Sequence, residues 1–232
     1  METKKVDWQV VILVCSIIII MIMGVRQSLG LFLDPITSFM KSGKEFFSFA
    51  IGVQAIIWGI VTFFLGIIID KIGPQKVLAF GIISYSTGIF LMSNPTSEFV
   101  LFSATTLMGF GLGGAGMATM VSIAGKVAPV NKRSLAMGLV AAAASFGQFA
   151  VVLPTMWMNK EFGWETSLIV LSSISICLLL LLPLLNNTNE KNNNTQDLEN
   201  SLQKTIMFSL KDKNYILLIS GFFVCGFHVT FI

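Results

Sequence analysis

The chain has 232 residues, of which 54% are hydrophobic and 12% charged, roughly half the 25% charged share of an average soluble domain. Its mean hydropathy of +0.82 excludes an ordinary water-soluble globule and points to an integral protein of the lipid bilayer. A formal charge of +3, with the basic residues scattered between apolar runs, excludes a nucleic-acid partner.

A transmembrane helix takes about 20 mostly apolar residues, and six segments meet that requirement, near residues 8–33, 49–69, 77–92, 99–123, 135–158 and 164–185. Lys4 and Lys5 ahead of the apolar run at 10–23 imitate a secretory signal, but no small-residue cleavage site follows. The run is read as an uncleaved first span. A polar, Asn-rich stretch at 186–213 then forms a linker, and a seventh apolar segment starts at 214 and runs to 232 without a polar flank, as a truncated helix would. With the N-terminus inside, eleven basic residues fall in inner segments and three, Lys41, Lys44 and Lys160, in outer loops. That asymmetry predicts a cytoplasmic N-terminus in the cell (inner) membrane. Asn186-x-Thr188 and Asn193-x-Thr195 match the glycosylation pattern but fall on the inner side as chance matches in an Asn-rich run.

In the first span Arg26 follows Gly24 well inside the apolar run. A charge at a helix centre costs at least about 2.5 to 3.5 kcal/mol, so it faces a cavity or a partner. It can clamp an anion through its two-pronged guanidinium, or it can snorkel outward and pair with Asp34. In the second span Trp58 sits in the middle, while Trp8, Trp157 and Trp164 sit at interfaces. Gln54 precedes Trp58 by four residues and shares its face. The pair can line a pocket or fill a gap between helices. Gly52, Gly59 and Gly66 recur every seven residues as a smooth packing stripe.

After the second span the run stops on Asp70-Lys71, turns on Gly73-Pro74 and restarts after Lys76, which reads as a hairpin between two membrane helices on the basic, inner side. The fourth span contains G-x-G-x-x-G at Gly111, Gly113 and Gly116. It lacks a preceding strand and a following acid, so it is not a dinucleotide site. Gly109 and Gly113 instead make a G-x-x-x-G packing face. In the fifth span Gly138, Ala142 and Ser145 continue the small-residue theme, and Ser145 and Gln148 are candidate pocket residues or packing hydrogen-bonders. His228, the only histidine, is a candidate proton relay in the seventh segment or a packing residue there. Cys15, Cys177 and Cys225 lie in apolar runs without a C-x-x-C pair and read as packing residues. With no metal-ligand cluster, no nucleophile turn and no paired intramembrane carboxylates, neither a metal nor a cofactor nor an enzyme is expected.

The spacing G-x-x-x-D-x-x-G-x-x-K over Gly66, Asp70, Gly73 and Lys76 resembles the loop between the second and third helices of the major facilitator superfamily of transporters. The stretch 24–32, Gly-Val-Arg-Gln-Ser-Leu-Gly-Leu-Phe, resembles the first helix of bacterial members related to the monocarboxylate transporters. The resemblance implies an all-α membrane fold of twelve helices in two halves. Residues 1–185 would be the first half, built of two inverted three-helix repeats, and Lys71-Ile72-Gly73 and Lys160 to Gly163 would end corresponding hairpins. It implies a small organic anion as substrate; the candidate pocket residues read above, Arg26, Gln54, Trp58, Ser145 and Gln148, would surround it, with protons or another ion coupled to it. Gating would fall to Gly66, Asp70, Lys71, Gly73 and Lys76, and a C-terminal half would be missing. Two departures stand out. Thr105 occupies a place where much of the superfamily has arginine, and Gln148 stands where the fifth-helix motif of the antiporters has proline. A non-transporting six-helix scaffold or regulator is the competing class, distinguished by binding protein partners and no anion.

Overall fold

A computed structural model describes the backbone of residues 7–188 and of 212–213, 215–217, 219–221 and 223–224; the side chains of 67, 70, 71 and 186–188 lie outside what is described. The chain divides into two compact units, Met1–Lys191 and Asn192–Ile232. In the second, the described residues from 213 onward are helical, and the Ile216 amide donates to the Asp212 carbonyl at 3.1 Å. His228 lies outside the described residues.

The first unit is all helix among its described residues, with six segments long and apolar enough to cross a bilayer: Trp8–Met40, Lys44–Gly66, Pro74–Met92, Glu98–Val127, Val130–Phe162 and Trp164–Leu185. The all-α membrane architecture is therefore as expected. In lipid every backbone polar group needs an internal partner, so an apolar run of this length folds as a helix. Asp7 starts the first by accepting from the Gln9 amide at 3.2 Å. This span was expected to stop at Leu33, yet it continues to Met40 through a 3-10 turn at Leu29–Phe32 and a second α-segment, Leu33–Met40. Pro35 lies in the first turn of that segment, where its absent N–H is not needed. Asp34 is exposed there and pairs with Lys44 at 2.6 Å.

Two other spans are interrupted. The fourth breaks between helices Glu98–Ala115 and Met117–Val127, with Gly116 extended between them. The fifth breaks at Val151, between Arg133–Ala150 and Val152–Phe162. Pro154 follows that break and cannot donate back into the preceding turn. The sixth changes to 3-10 geometry over Leu178–Thr188, around Pro183. There the Gln75 side chain donates to the Leu182 carbonyl at 2.8 Å.

Gly73 (φ 88°, ψ 152°) ends the second helix and starts the third, and Gly163 (φ 84°, ψ 161°) does the same between the fifth and sixth. Both conformations are ones that an L side chain rarely adopts. The first span packs on the fifth, the second on the fourth, and the third on the fourth and sixth. At one end of the bundle Lys132 lies over the Trp8 ring at 5.3 Å. At the other, Phe39 meets Trp164 edge to face at 5.5 Å.

Backbones come closest at glycines. A Cβ on Gly111 would stand 2.5 to 2.7 Å from the backbone and Cβ of Tyr85, and one on Gly81 would stand 2.6 Å from the Ala115 amide. Gly109 and Gly113 meet the second span at Gln54, Ile57 and Val61, as the G-x-x-x-G reading expected. The stripe Gly52, Gly59, Gly66 differs from its expectation, because all three face open space among the described residues, as does Gly138. Their helices bury their other faces: the second span turns Ile56, Ile60, Phe63 and Phe64 outward, and the fifth does so with Leu139, Phe146 and Phe149.

Candidate functional site

Gly24, two residues before Arg26, meets the fifth span, so Arg26 points to a different side of the first helix. A Cβ on Gly24 would collide with the Val151 side chain and lie 2.6 Å from the Gly147 carbonyl. The guanidinium is half-buried and its Cζ lies 4.9 Å from the centroid of the Trp58 ring. Spans one and two, separated by 32 residues at this point, thus place a cation on an indole face inside the apolar layer. Such a contact is worth about 0.5 to 2 kcal/mol, the larger value when water is excluded. It does not cancel the charge. Among the described residues Arg26 has no acidic partner, and Asp34, its candidate partner, is held by Lys44.

Trp58 reaches a third element. Its Nε1 lies 3.3 Å from where a Cβ on Gly116 would be, at the break of the fourth span. A discontinuous helix leaves backbone N–H and C=O groups unpaired in the membrane, which is tolerated where the backbone is covered by protein or lines a cavity. The second half-helix begins at Met117 without a side-chain cap.

Tyr85 was not foreseen. It is fully buried in the third span and donates its hydroxyl to the Ile22 carbonyl at 3.1 Å. Ile22 is four residues before Arg26, so the hydroxyl fastens the helical turn on which Arg26 is carried. A mid-span tyrosine, one of only two in the chain, was the available signal.

Gln54 is buried at 2% exposure between the second and fourth spans, and its Nε2 has no hydrogen-bond partner. Gln148 is half-buried next to Gly147, while Ser145 is exposed; neither hydrogen-bonds to Arg26 or Trp58. Of the five expected substrate residues, the structure therefore brings two into contact. Of the expected gating residues, Gly66 and Lys76 are exposed and Gly73 makes the turn; the side chains of Asp70 and Lys71 lie outside the described ones. Among the described residues no three His, Cys, Asp or Glu side chains gather as metal ligands. Gly111, Gly113 and Gly116 lie in and at the end of a helix against Tyr85, Val61 and Trp58, without any strand among the described residues, so they do not form a dinucleotide loop.

Comparison with known proteins gives the context. The Major Facilitator Superfamily model matches residues 10–232. The chain is 27% identical over 127 residues to the agnestins efflux protein AgnL12 of Paecilomyces divaricatus, covering 53% of this chain and 27% of that protein. It is 23% identical over 210 residues to the uncharacterized MFS-type transporter YcxA of Bacillus subtilis (strain 168), covering 87% of this chain and 50% of that one. The chain thus spans half or less of the curated relatives it matches. With the family model matched over nearly the whole sequence and six helices fit to cross a membrane, the chain belongs to the Major Facilitator Superfamily, whose members are membrane transporters.

Proposed function

We propose that this chain supplies the N-terminal half of a secondary transporter for a small organic anion, monocarboxylate-like in charge and size, working by alternating access. The observation that carries the reading is Arg26, an intramembrane cation resting on Trp58 without an acid among the described residues to neutralise it. A carboxylate offers two oxygens in a plane. The guanidinium can take both through its in-plane N–H groups while its face stays on the indole. Gln54, with an unpartnered amide one turn from Trp58, and Gln148 and Ser145 on the fifth span are the polar groups that complete the pocket in this proposal. Anion binding by wild type and Arg26 variants tests the reading.

In this reading residues 1–185 are two inverted three-helix repeats, 186–213 an inner linker, and 214–232 the start of a seventh helix. Supporting it, the matching glycine turns at 73 and 163 fall at corresponding places, and the contact of spans one and five is the counterpart of that of spans four and two. The open glycines at 52, 59, 66 and 138 are the surfaces on which a second six-helix half would pack. Protons or another ion would drive transport, with His228 as the relay candidate. The fungal relative is named for efflux, and uptake, export and exchange are all open to a site of this kind.

With an inside N-terminus in the cell membrane, a cysteine at position 43 reacts with an impermeant reagent added outside, and one at 192 does not. The reverse pattern overturns the orientation. Asp70 at the inner hairpin is proposed to hold the cytoplasmic side closed through a neighbouring helix N-terminus or basic side chain. Asp70→Asn is expected to cut transport by the full-length transporter at least about tenfold with expression unchanged, the equivalent of one lost charge-assisted hydrogen bond. Normal transport by this variant reduces the loop to a turn.

A further inference from the structure

The loop between the fourth and fifth spans carries an electrostatic misfit. Val130–Lys132 forms a 3-10 turn, with the Lys132 amide donating to the Pro129 carbonyl at 2.8 Å, and the helix Arg133–Ala150 begins directly after it. Lys132 at the N-cap gives no side-chain hydrogen bond to the first turn. Two cations therefore sit at the positive end of an uncapped helix, the end that favours an anion. No acid occurs between Glu98 and Glu161 in sequence, and neither Lys132 nor Arg133 has an acidic partner among the described residues. Asp7, the acid beside Trp8, is engaged in capping the first helix.

The surroundings say what kind of anion fits. Lys132 rests on the ring of Trp8, a residue type that settles at the membrane–water boundary. On either side of the two cations stand apolar side chains turned outward, Val130 at 83% and Leu135 at 58% exposure. A soluble phosphate would satisfy the cations and leave these side chains and the indole bare. A phospholipid satisfies both, its phosphate against Lys132, Arg133 and the first amides of the helix, its upper acyl chain against Val130 and Leu135.

We infer that Trp8, Val130, Lys132, Arg133 and Leu135 form a docking site for the headgroup of an anionic phospholipid. The bound lipid bridges the start of the first span, the helix that carries Arg26, and the start of the fifth. Basic residues near a membrane surface each add about fivefold to anionic lipid affinity.

Native mass spectrometry of the detergent-solubilised protein, offered equal amounts of phosphatidylglycerol and phosphatidylcholine, reads this directly. Wild type is expected to retain phosphatidylglycerol preferentially, and Lys132→Gln/Arg133→Gln to lose most of the preference, by roughly twentyfold. Lys41→Gln/Lys160→Gln, which removes as much charge from the opposite end, is expected to keep it. An unchanged preference in the first variant overturns the site, and an equal loss in the second reduces it to overall charge. Displacement of the lipid by millimolar inorganic phosphate assigns the pocket to a soluble anion and overturns the proposal. A preference that emerges only after deletion of residues 189–211 does so too, because the linker's own acids are then the occupant.

Discussion

Arg26→Ala is expected to weaken anion binding to the full-length transporter by roughly a hundredfold or more, and Arg26→Lys by roughly tenfold, measured by isothermal calorimetry with a small carboxylate. The two losses differ for a physical reason. Alanine removes the charge and both prongs of the guanidinium, whereas lysine keeps a compact charge but cannot offer a planar pair of donors to a carboxylate. Lysine also stacks less well on an indole, so the Trp58 contact at 4.9 Å weakens with it. Asp34 is not the partner of Arg26: it lies eight residues on, roughly 12 Å along a helix axis, and its carboxylate pairs with Lys44. Equal affinity in wild type and Arg26→Ala assigns Arg26 to snorkelling and ends the anion-clamp reading.

Gly111→Ala is expected to lower the thermal unfolding midpoint in detergent by roughly 5 to 10 °C, the effect of an overpacking penalty near 3 kcal/mol. The added methyl would stand 2.5 to 2.7 Å from the Tyr85 backbone and Cβ, atoms that cannot swing aside, so the third and fourth spans have to separate. Tyr85 would move with its helix and slacken its hold on the Ile22 carbonyl, so reduced anion binding is expected alongside the lower midpoint. Gly59→Ala is the control. Its Cβ meets nothing within 4 Å, and alanine is better than glycine inside a helix by up to about 1 kcal/mol. The midpoint is expected to stay or rise. Equal shifts in the two variants would show that the contact between spans three and four is not what glycine protects at position 111.

Much of this was readable along the chain. Where the six spans lie follows from one rule, that a backbone in lipid must satisfy itself, so a sufficiently long apolar run becomes a helix whatever surrounds it. The turn at Gly73 is equally local, since a proline follows it and positive φ is strained for other residues. Arg26 and Trp58 stood out individually because a charge or a large indole in mid-span is costly or conspicuous on its own. Their contact was not legible. It joins residues 32 positions apart on different helices, and its existence depends on how each helix is rotated about its axis.

Rotation and neighbour order were decided only by tertiary packing. On paper the glycines of the second span, evenly spaced at 52, 59 and 66, form a better stripe than the scattered Gly24, Gly81, Gly111 and Gly147. In the folded unit the even stripe faces open space, while the scattered glycines admit neighbouring backbones. Between membrane helices the apolar effect is nearly silent, because lipid is as apolar as leucine, so close approach at small residues sets the pairing. The same packing put Tyr85 against the turn that carries Arg26. The sequence by itself determined that residues 8–185 form six membrane helices with a cation inside the apolar layer. The tertiary structure decided that the cation lies on an indole, beside a broken helix, with no acid among the described residues to neutralise it, because those relations exist only between helices.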